Sequence, residues 1–394
     1  RQSMSTVDAV ETLIRSVLTS FENHASTHTI ICDLSKAFDC VPHDILLSKL
    51  HFYGVRGVEL KLFESYLANR TQRVNTKNSF SDIAKVVSGV PQGSVLGPFL
   101  FLILINDLPS SLSCNSVVFA DDTTLYYSMP NKDLNNLSLF MSNALEESIH
   151  WFKANGLSLN QTKTQHLVFT LSRAHVSHEN YSNVNLLGFV LDPSLNWSAH
   201  IQKVCARLNR VIYLLRNLRN KLPEPLLKNA YFAFFHSILL YGISVWGGSH
   251  HLKSVLLLQK KAIRIMRRAS FNAHCKPFFI AEGILTVVNV YIYVCLSKVK
   301  ENIHSFKLIC DNHQHNTRND YQLQEPFCRL SLTKNWLDSV SLKMFNKLPP
   351  CVHQVSFCKF RSSLYNFLVV RPFYDIKEFF ELPSREFITA FSSG

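Results

Sequence analysis

Val117-Val118-Phe119-Ala120-Asp121-Asp122-Thr123-Thr124-Leu125-Tyr126 joins two β-favouring runs across a pair of adjacent carboxylates. The pattern reads as a hairpin with acids at its tip. Side-by-side aspartates repel each other unless something neutralises them. A lone Asp-Asp dipeptide is satisfied as a solvated turn, whereas in a site the usual remedy is a divalent ion. Mg²⁺ prefers one or two carboxylates plus substrate phosphates. Which reading holds depends on what the rest of the chain brings to the hairpin.

Upstream, residues 4–24 carry Val7, Val10, Leu13, Ile14, Val17, Leu18 and Phe21 at helical spacing. Thr29-Ile30-Ile31-Cys32 reads as a buried strand, with Asp33 where it ends. Taken alone, Asp33 is a helix N-cap; beside the hairpin it supplies a further carboxylate from a neighbouring strand. Helical patterns cover 43–50 and 58–69, and β-like runs cover 72–76 and 83–88. Ser88-Gly89-Val90-Pro91-Gln92-Gly93-Ser94-Val95-Leu96-Gly97-Pro98 is a shaped loop opening an apolar helix over 99–105. Its spacing fits tight turn packing or close approach to a phosphate-bearing ligand, and it matches neither common nucleotide fingerprint.

Downstream, an amphipathic helix over 134–152 ends at Asn155-Gly156. Residues 157–169 resemble a hairpin of two short strands with Lys163 on its turn, and 185–191 a strand with Gly188 inside it. Lys163 is a surface lysine or a proton donor near a phosphate.

A chain of 394 residues allows two or three domains, and 47% hydrophobic residues provide for a sizeable core. At 18% charged it is not a disordered chain. The net charge of +13 points to polyanionic partners. That excess is local, since residues 197–276 hold fourteen Lys/Arg against the single acid Glu224 and the remainder sums to zero. Within the block, Val204, Leu208, Val211, Leu215 and Leu218 form an apolar stripe with Arg207, Arg210, Arg216 and Arg219 off it, and a second basic helix covers 255–268. The near-absence of acids favours phosphate contact through Lys203, Arg207, Arg210, Lys260, Lys261, Arg264, Arg267 and Arg268. The run 260–268 also suits nuclear import.

Ten scattered cysteines without a Cys-x-x-Cys pair read as reduced thiols, and no signal peptide opens the chain. Cys310, His313 and His315 have metal-ligand spacing but no clear fourth ligand. Residues 229–252 lack acids and bases, and the glycines and histidines among them indicate a buried helix followed by a turn rather than a membrane span. The chain begins on Arg1 with Met4 as its first methionine, so a fragment or a gene model cut at its upstream end is expected.

Asp33, Asp121 and Asp122 together suit two divalent ions about 3.5–4 Å apart for an in-line phosphoryl displacement. A glycine-rich loop and a basic helical region complete a polymerase plan. With these motifs in order, the sequence resembles the reverse transcriptases of non-LTR (LINE-type) retrotransposons near the jockey group. Asp33 to Asp39 looks like the first palm motif, Gly89 to Pro98 with Ile105-Asn106-Asp107-Leu108-Pro109 the second, and Phe119-Ala120-Asp121-Asp122 the third. Residues 156–169 resemble the fourth, and Leu186-Leu187-Gly188-Phe189 the primer grip. Tyr241-Gly242, Val245-Trp246-Gly247, Gly283-Ile284-Leu285-Thr286, His315-Asn316-Thr317-Arg318 and Phe345-Asn346-Lys347-Leu348-Pro349 look like that group's C-terminal landmarks.

The resemblance implies roles. Asp33, Asp121 and Asp122 would bind two Mg²⁺ (Mn²⁺ as substitute), with Lys163 protonating the leaving pyrophosphate. Phe38 would exclude a 2′-hydroxyl, and Gln92 and Gly93 would contact the template–nucleotide pair. Family fingers motifs and an endonuclease domain would lie upstream of Arg1. The expected fold is α+β: a right-hand polymerase palm of antiparallel sheet and packed helices, then a helical thumb and a C-terminal region. The expected divisions are 1–27 (fingers remnant and palm lead-in helix), 28–195 (palm), 196–275 (basic thumb) and 276–394. The expected function is RNA-directed DNA polymerase with an RNA template, a DNA primer or target and dNTPs as partners, in a nuclear and cytoplasmic ribonucleoprotein without a membrane. The alternative is a catalytically inactive nucleic-acid-binding remnant of such an element.

Overall fold

A computed structural model describes residues 4–77, 79–172, 183–309 and 321–392. The chain divides into two compact units, residues 1–188 with 192–194, and 189–191 with 195–394. The first contains α1 (Thr6–Glu22), β1 (Ala25–Cys32), α2 (His43–Phe52), α3 (Gly57–Leu67) and the two-residue strands β2 (Thr71–Gln72), β3 (Asn75–Thr76), β4 (Ser79–Phe80) and β5 (Ala84–Lys85). It continues with α4 (Leu96–Ile105), β6 (Asn115–Phe119), β7 (Asp122–Pro130), α5 (Leu134–Ala154), β8 (Gln165–Phe169) and β9 (Val184–Leu186).

A four-stranded sheet in the order β6-β7-β1-β8 organises this unit, with antiparallel pairing throughout. Alternation along β1 sends Ile30 and Cys32 to one face, where Leu125 and the α5 residues Leu137, Met141 and Ala144 meet them. Thr27 points to the other face, where its hydroxyl lies 2.9 Å from Ser128 Oγ, itself 2.8 Å from Ser20 Oγ of α1. Helices therefore cover both faces, and β1 is buried along nearly its whole length. A second cluster, around Leu46 and Leu50 of α2 and Leu100, Phe101 and Leu104 of α4, underlies the loops at the end of β1.

The second unit begins with β10 (Phe189–Leu191) and is otherwise helical: α6 (Ser198–Leu218), α7 (Glu224–Ala230), α8 (Ser237–Leu240), α9 (Ile243–Trp246), α10 (Leu252–Met266), α11 (Lys276–Glu282), α12 (Val287–Glu301), α13 (Ser331–Lys334), α14 (Leu337–Asn346), α15 (Phe357–Val369), α16 (Ile376–Glu381) and α17 (Ser384–Ser392). α12 is its core, with Val287, Val290, Ile292, Cys295 and Leu296 essentially inaccessible. The Gln259 amide donates to the Tyr231 hydroxyl and to Leu285 O, and accepts from Val287 N–H. Among the described residues no single helix is long and apolar enough to cross a membrane.

Several elements depart from the sequence reading. β1 starts at Ala25, earlier than the apolar run 29–32 indicates, because Ser26, Thr27 and Ser128 bury hydroxyls by pairing them. Residues 157–164 form no strand of their own; β8 pairs with β1 instead. The single strand expected over 185–191 is broken at Leu187 and Gly188, both at positive φ. The uncharged run 229–252 is several short pieces, including a widened π-turn over Tyr231–His236. Cys310, His313, His315 and the Asn316-Thr317-Arg318 landmark lie outside the described residues.

Candidate active site

The first unit brings the three aspartates to one end of its sheet. β6 and β7 pair as far as Phe119↔Asp122, which leaves Ala120 and Asp121 as the hairpin turn. Ala120 takes φ +52°, the positive value such a turn needs at its first central residue. The β1–β7 register ends at Cys32↔Thr123, so Asp33 and Asp122 leave adjacent strands at the same end. The carboxylates feel one another: burial, then the Asp121 charge, then the Asp33 charge hold the Asp122 carboxyl above its ordinary value of 3.8.

Residues 158–164 run along the segment that leaves β1. Asn160 N–H donates to Asp33 O at 2.8 Å, and Ser35 N–H to Ser158 O at 2.8 Å. The Asn160 carbonyl in turn accepts from Lys163 N–H. This turn sets Lys163 Nζ 3.5 Å from Asp33 Oδ2, with the lysine side chain 68% exposed. A pair this open adds little to stability.

Phe38 and Gln92 sit on two loops zipped together. Gly89 N–H donates to Val41 O and Val90 N–H to Phe38 O, both at 2.8 Å. A Cβ on Gly89 would lie 2.7 Å from Asp39 O, so only glycine permits that closeness. Gly93 has open space around it, and its φ of +78° is what requires glycine. The Phe38 ring packs on Phe101 at 4.6 Å between centroids. Gln92 Nε2 donates to Asp39 Oδ1 at 2.8 Å, and His43 Nε2 lies 2.8 Å from Gly89 O. Asp39 and His43 escaped the sequence reading as site components, since neither an exposed acid nor a helix-start histidine has a periodicity to betray it. Asp107, by contrast, is tied down 2.6 Å from Lys49 Nζ, which also caps Leu104 O, so that motif position is structural.

The basic candidates lie in the second unit. Lys203, Arg207 and Arg210 of α6 and Lys261 of α10 are exposed. The other basic residues of α10 and its end are engaged within the fold. Lys260 Nζ stands over the Tyr374 ring at 3.4 Å, and Arg264 Nε donates to Ala273 O. Arg267 pairs with Glu282 at 2.9 Å, and Arg268 Nη2 donates to Arg219 O.

The acidic group suits a hard divalent cation in donor chemistry, offering only carboxylate oxygens, and in charge, since Asp122 is crowded by two other acids. Among the described residues no three His, Cys, Asp or Glu side chains are drawn in to ligand spacing.

Residues 2–191 match the family model described as reverse transcriptase (RNA-dependent DNA polymerase). The N-terminal half is thus similar to reverse transcriptase domains. The probable RNA-directed DNA polymerase from transposon BS of Drosophila melanogaster is 29% identical over 293 residues, covering 67% of this chain and 31% of that protein. The RNA-directed DNA polymerase from mobile element jockey of the same species is 28% identical, with 67% and 31% covered. This agrees with the jockey-like resemblance of the reverse transcriptase motifs, and the chain spans about a third of the length of these relatives. Among solved structures, telomerase from Candida albicans aligns at 14% identity and a TM-score of 0.39, covering 78% of this chain and 53% of that one.

Proposed function

We propose that this chain is the polymerase part of a non-LTR retrotransposon protein, adding dNTPs to a primer 3′-hydroxyl on an RNA template. The observation that carries the reading is the convergence of Asp33, Asp121 and Asp122 on one sheet end within a reverse transcriptase domain. These residues would hold two Mg²⁺, for which Mn²⁺ can stand in. The ions when bound would acidify the primer hydroxyl and neutralise the triphosphate. Lys163, beside Asp33, donates a proton to the departing pyrophosphate. Phe38, braced on Phe101, screens the sugar for a 2′-hydroxyl, while Gln92, held by Asp39, and Gly93 face the template–nucleotide pair.

Residues 28–195 act as palm behind the lead-in helix of 1–27. Residues 196–275 act as thumb, with Lys203, Arg207, Arg210 and Lys261 as its exposed phosphate contacts, ahead of a C-terminal region over 276–394. The working form is a ribonucleoprotein in nucleus and cytoplasm. A rival reading is a catalytically inactive nucleic-acid-binding remnant, since among the described residues no three candidate ligands stand at ligand spacing. Labelled dNTP incorporation on a primed RNA template separates the two. Incorporation with Mg²⁺ is expected, and silence with both Mg²⁺ and Mn²⁺ would favour the remnant.

A further inference from the structure

Between the Asp33 segment and the glycine loop the first unit puts out a two-stranded ribbon that the polymerase chemistry does not use. β2 and β5 pair through Thr71↔Lys85 and Gln72↔Ala84, and β3 and β4 through Asn75↔Phe80 and Thr76↔Ser79. Residues 73–74 on the outgoing side face 81–83 on the return, a bulge of one residue bridged by the Ser81 N–H to Val74 O bond at 2.9 Å. Every described residue from 68 to 85 is exposed.

Two features of the ribbon ask for a partner. Val74, Phe80, Ile83 and Val87 stand 66%, 59%, 68% and 80% exposed on a hairpin with no third layer, the kind of element that is marginal by itself. Arg70, Arg73, Lys77 and Lys85 face the single acid Asp82 within residues 70–87. None of these cations is ion-paired among the described residues. Arg73 instead lies over the Phe80 ring at 4.2 Å, and Arg70 over the Tyr66 ring at 5.8 Å. Cations interleaved with exposed aromatic and apolar side chains match a nucleic-acid strand, whose phosphates suit the basic side chains and whose base faces suit the aromatic rings. The deep, narrow major groove of an RNA duplex does not admit a ribbon, and exposed rings suit unstacked bases, so the fit is to a single strand, which on the proposed function is RNA. The root of the ribbon reinforces this. Val86 N–H donates to Arg70 O, Ser88 bridges to Pro42, and Ser88 Oγ donates to Asp39 O, the residue that holds Gln92.

We propose that residues 70–87 are an arm that holds single-stranded RNA, with phosphates on Arg70, Arg73, Lys77 and Lys85 and a base against Phe80. The arm is independent of polymerisation and works in a chain that adds no nucleotide.

The test is fluorescence anisotropy of an end-labelled oligouridine with the full chain, across a salt series and without dNTPs. Wild type is compared with the fourfold variant R70A/R73A/K77A/K85A and with Phe80→Ala. Far-UV circular dichroism of each variant should match wild type, since Arg70, Arg73, Lys77, Phe80 and Lys85 are all exposed. The fourfold variant should bind roughly tenfold more weakly at low salt, and its log K against log salt should be shallower by about 0.7 for each phosphate it no longer neutralises. Phe80→Ala should weaken binding by roughly tenfold with the slope unchanged. Equal affinity and slope for wild type and the fourfold variant would overturn the proposal, as would an oligouridine that the wild-type chain fails to bind at low salt. In either case the exposed apolar side chains serve a protein partner instead.

Discussion

At the residue scale, Ala120 carries more of the site than its size suggests. Its φ of +52° costs an L-residue about 1–2 kcal/mol, and the hairpin register that presents Asp121 and Asp122 imposes it. Ala120→Gly should therefore stay within about 1 kcal/mol of wild type, whereas Ala120→Val, β-branched at positive φ, should cost about 2–3 kcal/mol and misplace both acids. Urea midpoints of the two variants check this, and equal midpoints would contradict it. The hairpin that carries Asp121 and Asp122 was legible in the sequence because two β-favouring runs flank the adjacent acids, whereas their reading as a site came only from the motifs elsewhere in the chain. The contact of Asp39 with Gln92 was not, because it comes from the meeting of two loops 53 residues apart, which no local pattern records.

At the element scale, buried polar side chains hold the helices of the second unit. Gln259 is inaccessible and bonds to Tyr231, Leu285 and Val287, so Gln259→Leu strands three buried polar groups. The expected loss is about 3 kcal/mol, seen as a lower urea midpoint at unchanged slope. His200 makes a different prediction. Burial first, then Lys203 and Arg207, push its pKa down from 6.5 to about 4, and its Nδ1 accepts the Val190 N–H. The folded chain thus keeps the ring neutral while the unfolded chain takes up a proton below about pH 6.5. Stability from this group is complete above that pH and falls progressively toward pH 4, by on the order of 2–3 kcal/mol. Thermal unfolding across this window should show the decline, and His200→Leu should remove about one proton from it. A pH slope unaltered in the variant would assign the decline elsewhere. Helices such as α1 and α5 were readable from apolar spacing, since packing and periodicity agree there. The polar half of β1 was not, because its hydroxyls are satisfied by partners on β7, α1 and the loop after β7 rather than by water.

At the scale of the whole molecule, the basic block and the candidate site occupy different units. The acids converge in the first, while the excess of positive charge lies in residues 197–276 of the second. Composition announced that block, but not that Lys260, Arg264, Arg267 and Arg268 would be engaged within the fold, which needs the packing of α10 on its neighbours. Binding of nucleic acid and chemistry on it should accordingly be separable by mutation. The most direct measurement places wild type and Asp121→Asn side by side on one primed RNA template, reading labelled dNTP incorporation and template affinity from the same samples in Mg²⁺. Incorporation by wild type, its loss of at least about 100-fold in Asp121→Asn, and equal affinity for the two are the predicted result. Undiminished incorporation by Asp121→Asn, or loss of affinity in step with activity, would contradict the assignment of the carboxylate cluster as the polymerase centre.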